Sequence, residues 1–290
     1  MPGNTLSYII LNYNDSETTI KCINKIKDYK ILDHIVVVDN CSPDGSYEKL
    51  QYLQSERIDV IRSDKNGGYG YGNNYGARYV AERFHSQYII IGNPDAFIEE
   101  KDIIECLNFI SSKEDCACVV PLMKDKDFKT NYRCVWRIPT YFEYCTFPLL
   151  IGNKIDFCYP ERNITSSTPL LCECVAGSWL MLNAAVFKNI GMYDENIFLY
   201  CEEVVLGIKI KQYGMNSYLL PTSSFQHLHG VSVKKTFQSS ITTSKIMWKS
   251  RLYVLDTYYR GTPLQKVYSR LCRFLGLTEK YVSELKNKNK

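Results

Sequence analysis

The sequence predicts an α/β fold, a mostly parallel central sheet flanked by helices and followed by a helical C-terminal extension. Three observations carry this. Strand-length apolar runs alternate with helix-period segments through residue 122. Polar side chains follow four of those runs directly, where the carboxyl ends of parallel strands form a crevice that binds ligands. After residue 233 the composition turns basic and aromatic.

The elements follow in order. Ser7 to Asn12 reads as a buried strand. Ser16 to Tyr29 reads as a helix, with Ile20, Ile23 and Ile26 at helical spacing and Asp15 or Ser16 as its N-cap. His34 to Asp39 and Asp59 to Ser63 are strands, with a helix over Tyr47 to Gln54 between them. Gly72 to Phe84 is helical, Tyr88 to Gly92 a strand, Asp102 to Ile110 a helix and Cys116 to Leu122 a strand. Residues 124–173 hold scattered aromatics, prolines and Arg133/Arg137; no element is assigned there, and a loop-rich acceptor side is expected. Cys174 to Asn183 reads as one strand, Ala184 to Ile190 as a short helix, Glu202 to Tyr213 as a helix and Asn216 to Leu220 as a strand.

With 290 residues, 45% of them hydrophobic, the chain can bury one large core or two small ones. The start, Met1 to Asn4, is small and polar, so no secretory signal is expected. The apolar runs are strand-length, far short of the roughly 18–20 residues of a spanning helix. A cytoplasmic protein is expected, soluble or peripheral on the inner face of the membrane. The net charge of +4 says little about partners, and no nucleic-acid partner is expected. From Lys234 onward, however, thirteen Lys/Arg stand against three Asp/Glu, interleaved with Trp248, Tyr253, Tyr258, Tyr259 and Phe274. This segment suits an anionic membrane surface, or a packed extension with a solvated basic face. The 12 cysteines include two CxC pairs, Cys116/Cys118 and Cys172/Cys174, which could bind zinc; buried free thiols are the preferred reading.

The chemistry-bearing residues sit after the strands. Asn12 and Asn14 follow the first strand. Asp39, Asn40 and Ser42 follow the second, and a carboxylate there can accept from a nucleobase imide or a ribose hydroxyl. The glycine-rich stretch Asn66, Gly68, Tyr69, Gly72, Asn73 can bring backbone close to phosphate ahead of a helix N-terminus; it lacks the Lys-Ser/Thr ending of a P-loop. Asn93-Pro94-Asp95 offers an acid for a divalent cation, and His227 or His229 offers an imidazole. Glu202 and Glu203 open a helix, where the dipole alone favours acids; either could also act as a general base.

In this order the segments resemble the family 2 glycosyltransferases with a GT-A fold, most of all the bacterial rhamnosyltransferase and galactofuranosyltransferase branch. The likeness runs from about Ser7 to Ser232. It lies in Ile35 to Asn40, Asp44-Gly45-Ser46, Asn66 to Asn74, Asn93-Pro94-Asp95, Gly177-Ser178, Ile190 to Glu195, Phe198 to Glu203 and His227-x-x-Gly230-x-Ser232. The resemblance implies a domain over 1–233, with a nucleotide-sugar half (1–123) and an acceptor half (124–233), ahead of the extension 234–290.

It implies that Asp39 binds the base of a UDP- or dTDP-sugar and that Asp95 is the metal-binding acid of the DxD motif, with Asn93 in the other acidic position. His227 would be the further ligand to Mn²⁺ or Mg²⁺, with His229 the runner-up, and Glu203 would be the catalytic base. It further implies inverting transfer of a hexose to a hydroxyl of a bacterial surface glycan, lipid-linked or free. Rhamnose is the first expectation for the sugar, galactose, galactofuranose or glucose the next. Three departures stand out: Glu203 replaces the usual Asp, and Val205 and Lys209 stand where the branch has Asp and Arg. A sugar nucleotidyltransferase and a catalytically silent nucleotide-sugar-binding module are the alternatives.

Overall fold

The computed structural model describes residues 5–228 and 239–288. His229 and the expected boundary at 233/234 lie outside them.

The first half is a parallel α/β unit. Strands β1 (Leu6–Asn12), β2 (His34–Asp39), β3 (Ile58–Arg62) and β4 (Tyr88–Gly92) lie in the order β3-β2-β1-β4 and are parallel throughout. β1, β2 and β4 are rich in Val, Ile and Leu, as strands covered on both faces must be, whereas the edge strand β3 alternates buried and partly exposed residues. Helices α1 (Ser16–Ile26), α2 (Ser46–Gln51) and α3 (Tyr69–Arg83) connect them. In this register Asn12 is abreast of Asp39, so two polar groups reach the carboxyl end of the sheet side by side.

The second half adds mixed pairing. A β-turn at Asn93-Pro94-Asp95 joins β4 to the short β5 (Ala96–Ile98), after which α4 (Glu100–Ser112) leads into β6 (Cys116–Lys124). The antiparallel β10 (Trp179–Asn183) joins β4 to β6, and β11 (Asn216–His227) runs parallel to β6. Between Leu220 and Ser224 the β11 register slips at Pro221. The strand therefore continues beyond the Leu220 expected from sequence, and its last residues pair with β5.

The unassigned region 124–173 contains β7 (Val135–Trp136), α5 (Tyr141–Thr146), a 3-10 turn over Leu150–Lys154, α6 (Glu161–Ile164) and β8 (Leu170–Cys172), which pairs with β11. The expected single strand 174–183 is two: β9 (Cys174–Val175) pairs with β7, β10 with β4, and residues 176–178 bend between them. Gly177 and its neighbours make that break.

After β10 come α7 (Ala184–Asn189) and α8 (Glu202–Gln212). The C-terminal helices α9 (Ser240–Thr257) and α10 (Pro263–Lys288) pack on each other and on α5. Trp248, Val254, Leu255 and Cys272 close a second, smaller core with Tyr144, Ile197, Val204 and Val205. Asp194 fastens this extension by accepting from Tyr253 Oη at 2.9 Å and Tyr258 Oη at 2.7 Å. No described helix is long and apolar enough to cross a membrane. All 12 cysteines are free and ten are buried, which raises thiol pKa and leaves them as small hydrophobes.

Candidate active site

The carboxyl ends of β1 and β2 form a closed polar knot. Asn12 Nδ2 donates to Asp39 Oδ1 at 2.8 Å, the Ser42 amide donates to Asp39 Oδ2 at 2.9 Å, and Thr19 Oγ1 donates to Asn12 Oδ1 at 2.8 Å. Arg62 Nε stands 3.7 Å from Asp39 Oδ2. Asn12 and Asp39 are both fully enclosed. The carboxylate has lone pairs to spare, but a nucleobase can reach it only if Arg62 or the turn after Asp39 gives way. Thr19 and Arg62 carried no sequence signal, because their roles depend on side-chain direction alone.

Asn40 ties this knot to the glycine-rich stretch. Its Nδ2 donates to Asn66 Oδ1 at 3.0 Å and to the Gly68 carbonyl at 3.1 Å, and its Oδ1 accepts from Ser63. Helix α3 starts at Tyr69, three residues earlier than its sequence reading, so Gly72 and Asn73 are inside it. A Cβ on Gly72 would stand 2.3 Å from Leu11 Cδ1, so this glycine lets α3 press against β1. Asn73 is buried and caps the Tyr69 carbonyl. The Tyr69 amide, a candidate anion donor, is spent on the Phe198 carbonyl at 2.9 Å.

Asp95 and His227 are brought together by the ladder. Ala96 pairs with His227 across β5 and β11, and Asp95 immediately precedes Ala96. His227 Nε2 stands 3.2 Å from Asp95 Oδ1, with both side chains about nine-tenths covered. The Leu228 amide donates to the Asp95 carbonyl at 3.0 Å. An oxygen and an imidazole nitrogen converging in this way are a donor set that Mn²⁺ or Mg²⁺ accepts, with phosphate and water filling the remaining positions. Among the described residues no group of three or more His, Cys, Asp or Glu could hold a metal, the CxC pairs included.

Glu202 and Glu203 follow two consecutive left-handed residues, Tyr200 (φ 69°) and Cys201 (φ 78°). Such backbone is strained for side chains larger than glycine; here Ser250 Oγ pins it by donating to the Leu199 carbonyl at 2.7 Å. Burial raises the pKa of both carboxyls, and Glu203 lifts Glu202 further against ionisation, while its own amide and that of Gly177 pull Glu203 back down. Glu202 is almost wholly buried and its Oε1 has no hydrogen-bond partner among the described residues.

Glu203 reaches the wall of a cavity of about 270 Å³, lined also by Trp136, Tyr144, Phe147, Phe157 and Arg251. Aromatic walls with a few polar groups suit the faces and hydroxyls of a sugar. The Arg251 guanidinium lies 4.0 Å from the centre of the Tyr144 ring and donates to the Tyr144 carbonyl. The long separations between these residues hid the cavity from sequence.

Gly177 and Ser178 join these parts. The Ser178 carbonyl accepts from the Asn93 amide at 2.8 Å, and the Gly177 carbonyl accepts from Tyr69 Oη at 2.5 Å. A Cβ on Gly177 would stand 3.7 Å from Glu203 Oε1. One bend thus touches the Asp95 turn, the glycine-rich stretch and the Glu203 carboxylate. Lys209 donates to the Met192 carbonyl at 2.8 Å and Val205 is buried in the second core, so neither position of the expected Asp–Arg pair reaches into the cavity.

Comparison with known proteins gives the family and the fold. The model of the family described as "Glycosyl transferase family 2" matches residues 7–163. The rhamnosyltransferase WbbL of Escherichia coli (strain K12) is 24% identical over 165 residues, covering 56% of this chain and 60% of that protein. The low-salt glycan biosynthesis hexosyltransferase Agl10 of Haloferax volcanii is 26% identical over 211 residues, covering 73% and 63%. The match thus spans about three-fifths of each relative's length. Among solved structures, GalNAc-T7 with UDP, GalNAc and Mn²⁺ superposes with a TM-score of 0.62 at 17% identity, covering 93% of this chain and 54% of that one. That likeness establishes a GT-A fold. The family match covers more than half of the chain, so the chain belongs to glycosyl transferase family 2, and its sequence is similar to that of a rhamnosyltransferase.

Proposed function

We propose that the chain is an inverting glycosyltransferase that moves a hexose, rhamnose first among the candidates, from a dTDP- or UDP-sugar to a hydroxyl of a bacterial surface-glycan acceptor. The observation that carries this is Glu203. Its carboxyl stands at the wall of a sugar-sized aromatic cavity, with a pKa raised by burial toward the range of a working general base. The rhamnosyltransferase relatives support the choice of sugar.

In this reading an acceptor sugar packs against Trp136, and its hydroxyl hydrogen-bonds to a Glu203 carboxylate oxygen. Glu203 takes the hydroxyl proton as the acceptor oxygen bonds to the anomeric carbon. The bond from that carbon to the diphosphate breaks on the opposite face, so configuration inverts. Glu202 stays protonated beside Glu203, held so by burial and by the Glu203 carboxylate. The Asn12/Asp39/Ser42 knot shapes the nucleobase end, and the Asn40/Asn66/Gly68 contacts hold the stretch beside it. Asp95 and His227 would hold Mn²⁺ or Mg²⁺, which when bound supplies Lewis-acid stabilisation of charge on the leaving diphosphate. Alignment of both substrates in one cleft provides much of the rate.

The test is a screen of UDP- and dTDP-sugars with purified protein, scoring nucleoside diphosphate release with and without chelator and acceptor. Release from one donor, lost in Glu203→Gln, supports the reading. Nucleotide binding without turnover of any donor, lipid-linked acceptors included, sinks it.

A further inference from the structure

Arg251 is a buried cation without a counter-charge. Its relative exposure is 7%, yet among the described residues it forms no ion pair. Its one hydrogen bond there runs from Nη1 to the Tyr144 carbonyl, and Nε is enclosed without a partner. The undescribed residues 1–4, 229–238 and 289–290 contain no Asp or Glu, so no acidic side chain of this chain pairs with it. A charge taken out of water is costly unless it is paired. The ring centres of Tyr144 at 4.0 Å and Trp248 at 5.9 Å offset only part of that cost.

This guanidinium lines the Glu203 cavity. It arrives on α9 together with Met247, and so from a helix beyond the family match over residues 7–163. Every wall residue lies at Arg133 or later in the chain, whereas Asn12, Asp39 and Asp95 stand at the ends of β1, β2 and β4. In the transferase reading the cation is therefore on the side of the acceptor and away from the nucleotide. Asp156 and Glu203 are the acids on the same wall, and neither forms an ion pair with it.

A guanidinium presents a planar fork of donors that matches the two oxygens of a carboxylate or a phosphate. The cavity of about 270 Å³ takes roughly one sugar residue. An anion held by Arg251 thus belongs to the residue that carries the reacting hydroxyl, or to its immediate neighbour.

We propose, resting on the transferase reading of this cavity, that Arg251 selects an acceptor bearing an oxyanion, a sugar carboxylate or a phosphate ester, beside the hydroxyl that receives the transferred sugar. The C-terminal extension would then set acceptor choice, while the family's own segments handle the donor.

Binding to the full chain is followed by ligand-observed NMR titration with UDP or dTDP present, so no turnover is needed. The probes are matched sets: methyl glucoside, methyl glucuronide and the phosphate ester of methyl glucoside, with their galactose counterparts. A charged member should bind at least about tenfold tighter than its neutral counterpart, as hydrogen bonds to a charged group do. Whether the carboxylate or the phosphate is preferred names the source of the anion. Arg251→Met should remove the difference, and Arg251→Lys, which keeps the charge without the fork, should reduce it. Arg133→Gln, at the exposed cation on the same wall, should leave it in place. Circular dichroism confirms that each variant is folded. Equal binding of charged and neutral members to the parent, or binding of none, overturns the proposal. So does a preference that persists in folded Arg251→Met, or undiminished in Arg251→Lys should the Met variant not fold, or one that Arg133→Gln abolishes. With a donor in hand, Arg251→Lys should raise the KM of the acceptor alone; a raised donor KM would give the guanidinium to the diphosphate and overturn the assignment. Charged-sugar binding lost in Arg251→Met supports the site even where no donor turns over, an outcome that counts against the transferase reading alone.

Discussion

Gly68 lies so close to Phe198 that a Cβ on it would stand 1.9 Å from the Phe198 carbonyl oxygen, and its φ of +94° is one that side chains rarely adopt. This contact seats the glycine-rich stretch on the turn that delivers Glu202 and Glu203. Gly68→Ala should therefore destabilise the protein by at least ~2 kcal/mol. Urea unfolding measures this. A change within ~0.5 kcal/mol, the ordinary range for a surface substitution, would mean that the two segments are not locked together.

Glu203→Gln keeps the size of the side chain and removes the base. Transfer should fall by roughly 10²–10⁴-fold. Binding of UDP or dTDP, followed by calorimetry, should be unchanged, since the nucleotide end lies on other elements. A turnover number within tenfold of the parent would assign the base to another group.

The acidic pair sets a pH dependence. Burial holds the Glu203 carboxyl above the ordinary glutamate range, so activity should rise with pH through an apparent pKa above 4.5. A raised carboxyl pKa costs stability above the unfolded value and nothing below it. Glu202→Gln should therefore melt higher at neutral pH, while at about pH 3 and below, where the carboxyls are protonated in either state, the two proteins should converge. An unchanged melting temperature at neutral pH would mean that Glu202 is not held protonated by its burial.

Asp95→Ala and His227→Ala should each raise the Mn²⁺ needed for half-maximal turnover by at least about tenfold, since losing an outer-shell partner of a metal site already costs that much. Nucleotide binding in the presence of chelator should not change. Equal cation requirements in the parent and both variants would place the cation elsewhere.

Asp194 accepts from Tyr253 and Tyr258. Burial opposes ionisation of this carboxyl, yet these hydroxyls and the Asn196 amide together hold it below the usual aspartate range. Its stabilising effect is fully present above the unfolded pKa and fades as pH falls through the lower folded value, a window below about pH 4. Asp194→Asn should cost ~2 kcal/mol at neutral pH, as a hydrogen bond to a charged group does. The loss should disappear in acid, which denaturation at two pH values would reveal.

The parallel half was legible because it is local. Continuous apolar runs such as Ile35 to Val38 can be satisfied only between two helical layers, and the polar residue ending each run lands at the carboxyl edge of the sheet. The ordered segments from Ile35 to Glu203 were readable for the same reason and pointed to the family that comparison established.

Local reading weakened where partners are far apart in the chain. The break at Gly177 depends on Tyr69, Asn93 and Glu203 arriving from three other elements, and the run from Val175 to Asn183 holds nothing that bars a strand. The bulge that carries β11 on to His227 arises as Pro221 interrupts the ladder and later residues turn to meet β5. The glycines read as a phosphate cradle include Gly72, which faces Leu11 instead, a distinction set by the direction of helix α3.

The sequence by itself determined the fold class, the family and which side chains stand at the strand ends, since these follow from periodicity and residue type. Only the tertiary structure decided that Asp39 is enclosed, that Asp95 meets His227, that Glu203 faces an aromatic cavity and that Arg251 lines the same cavity. Each of these depends on side-chain direction and on contacts between distant segments, and burial acts on the assembled whole.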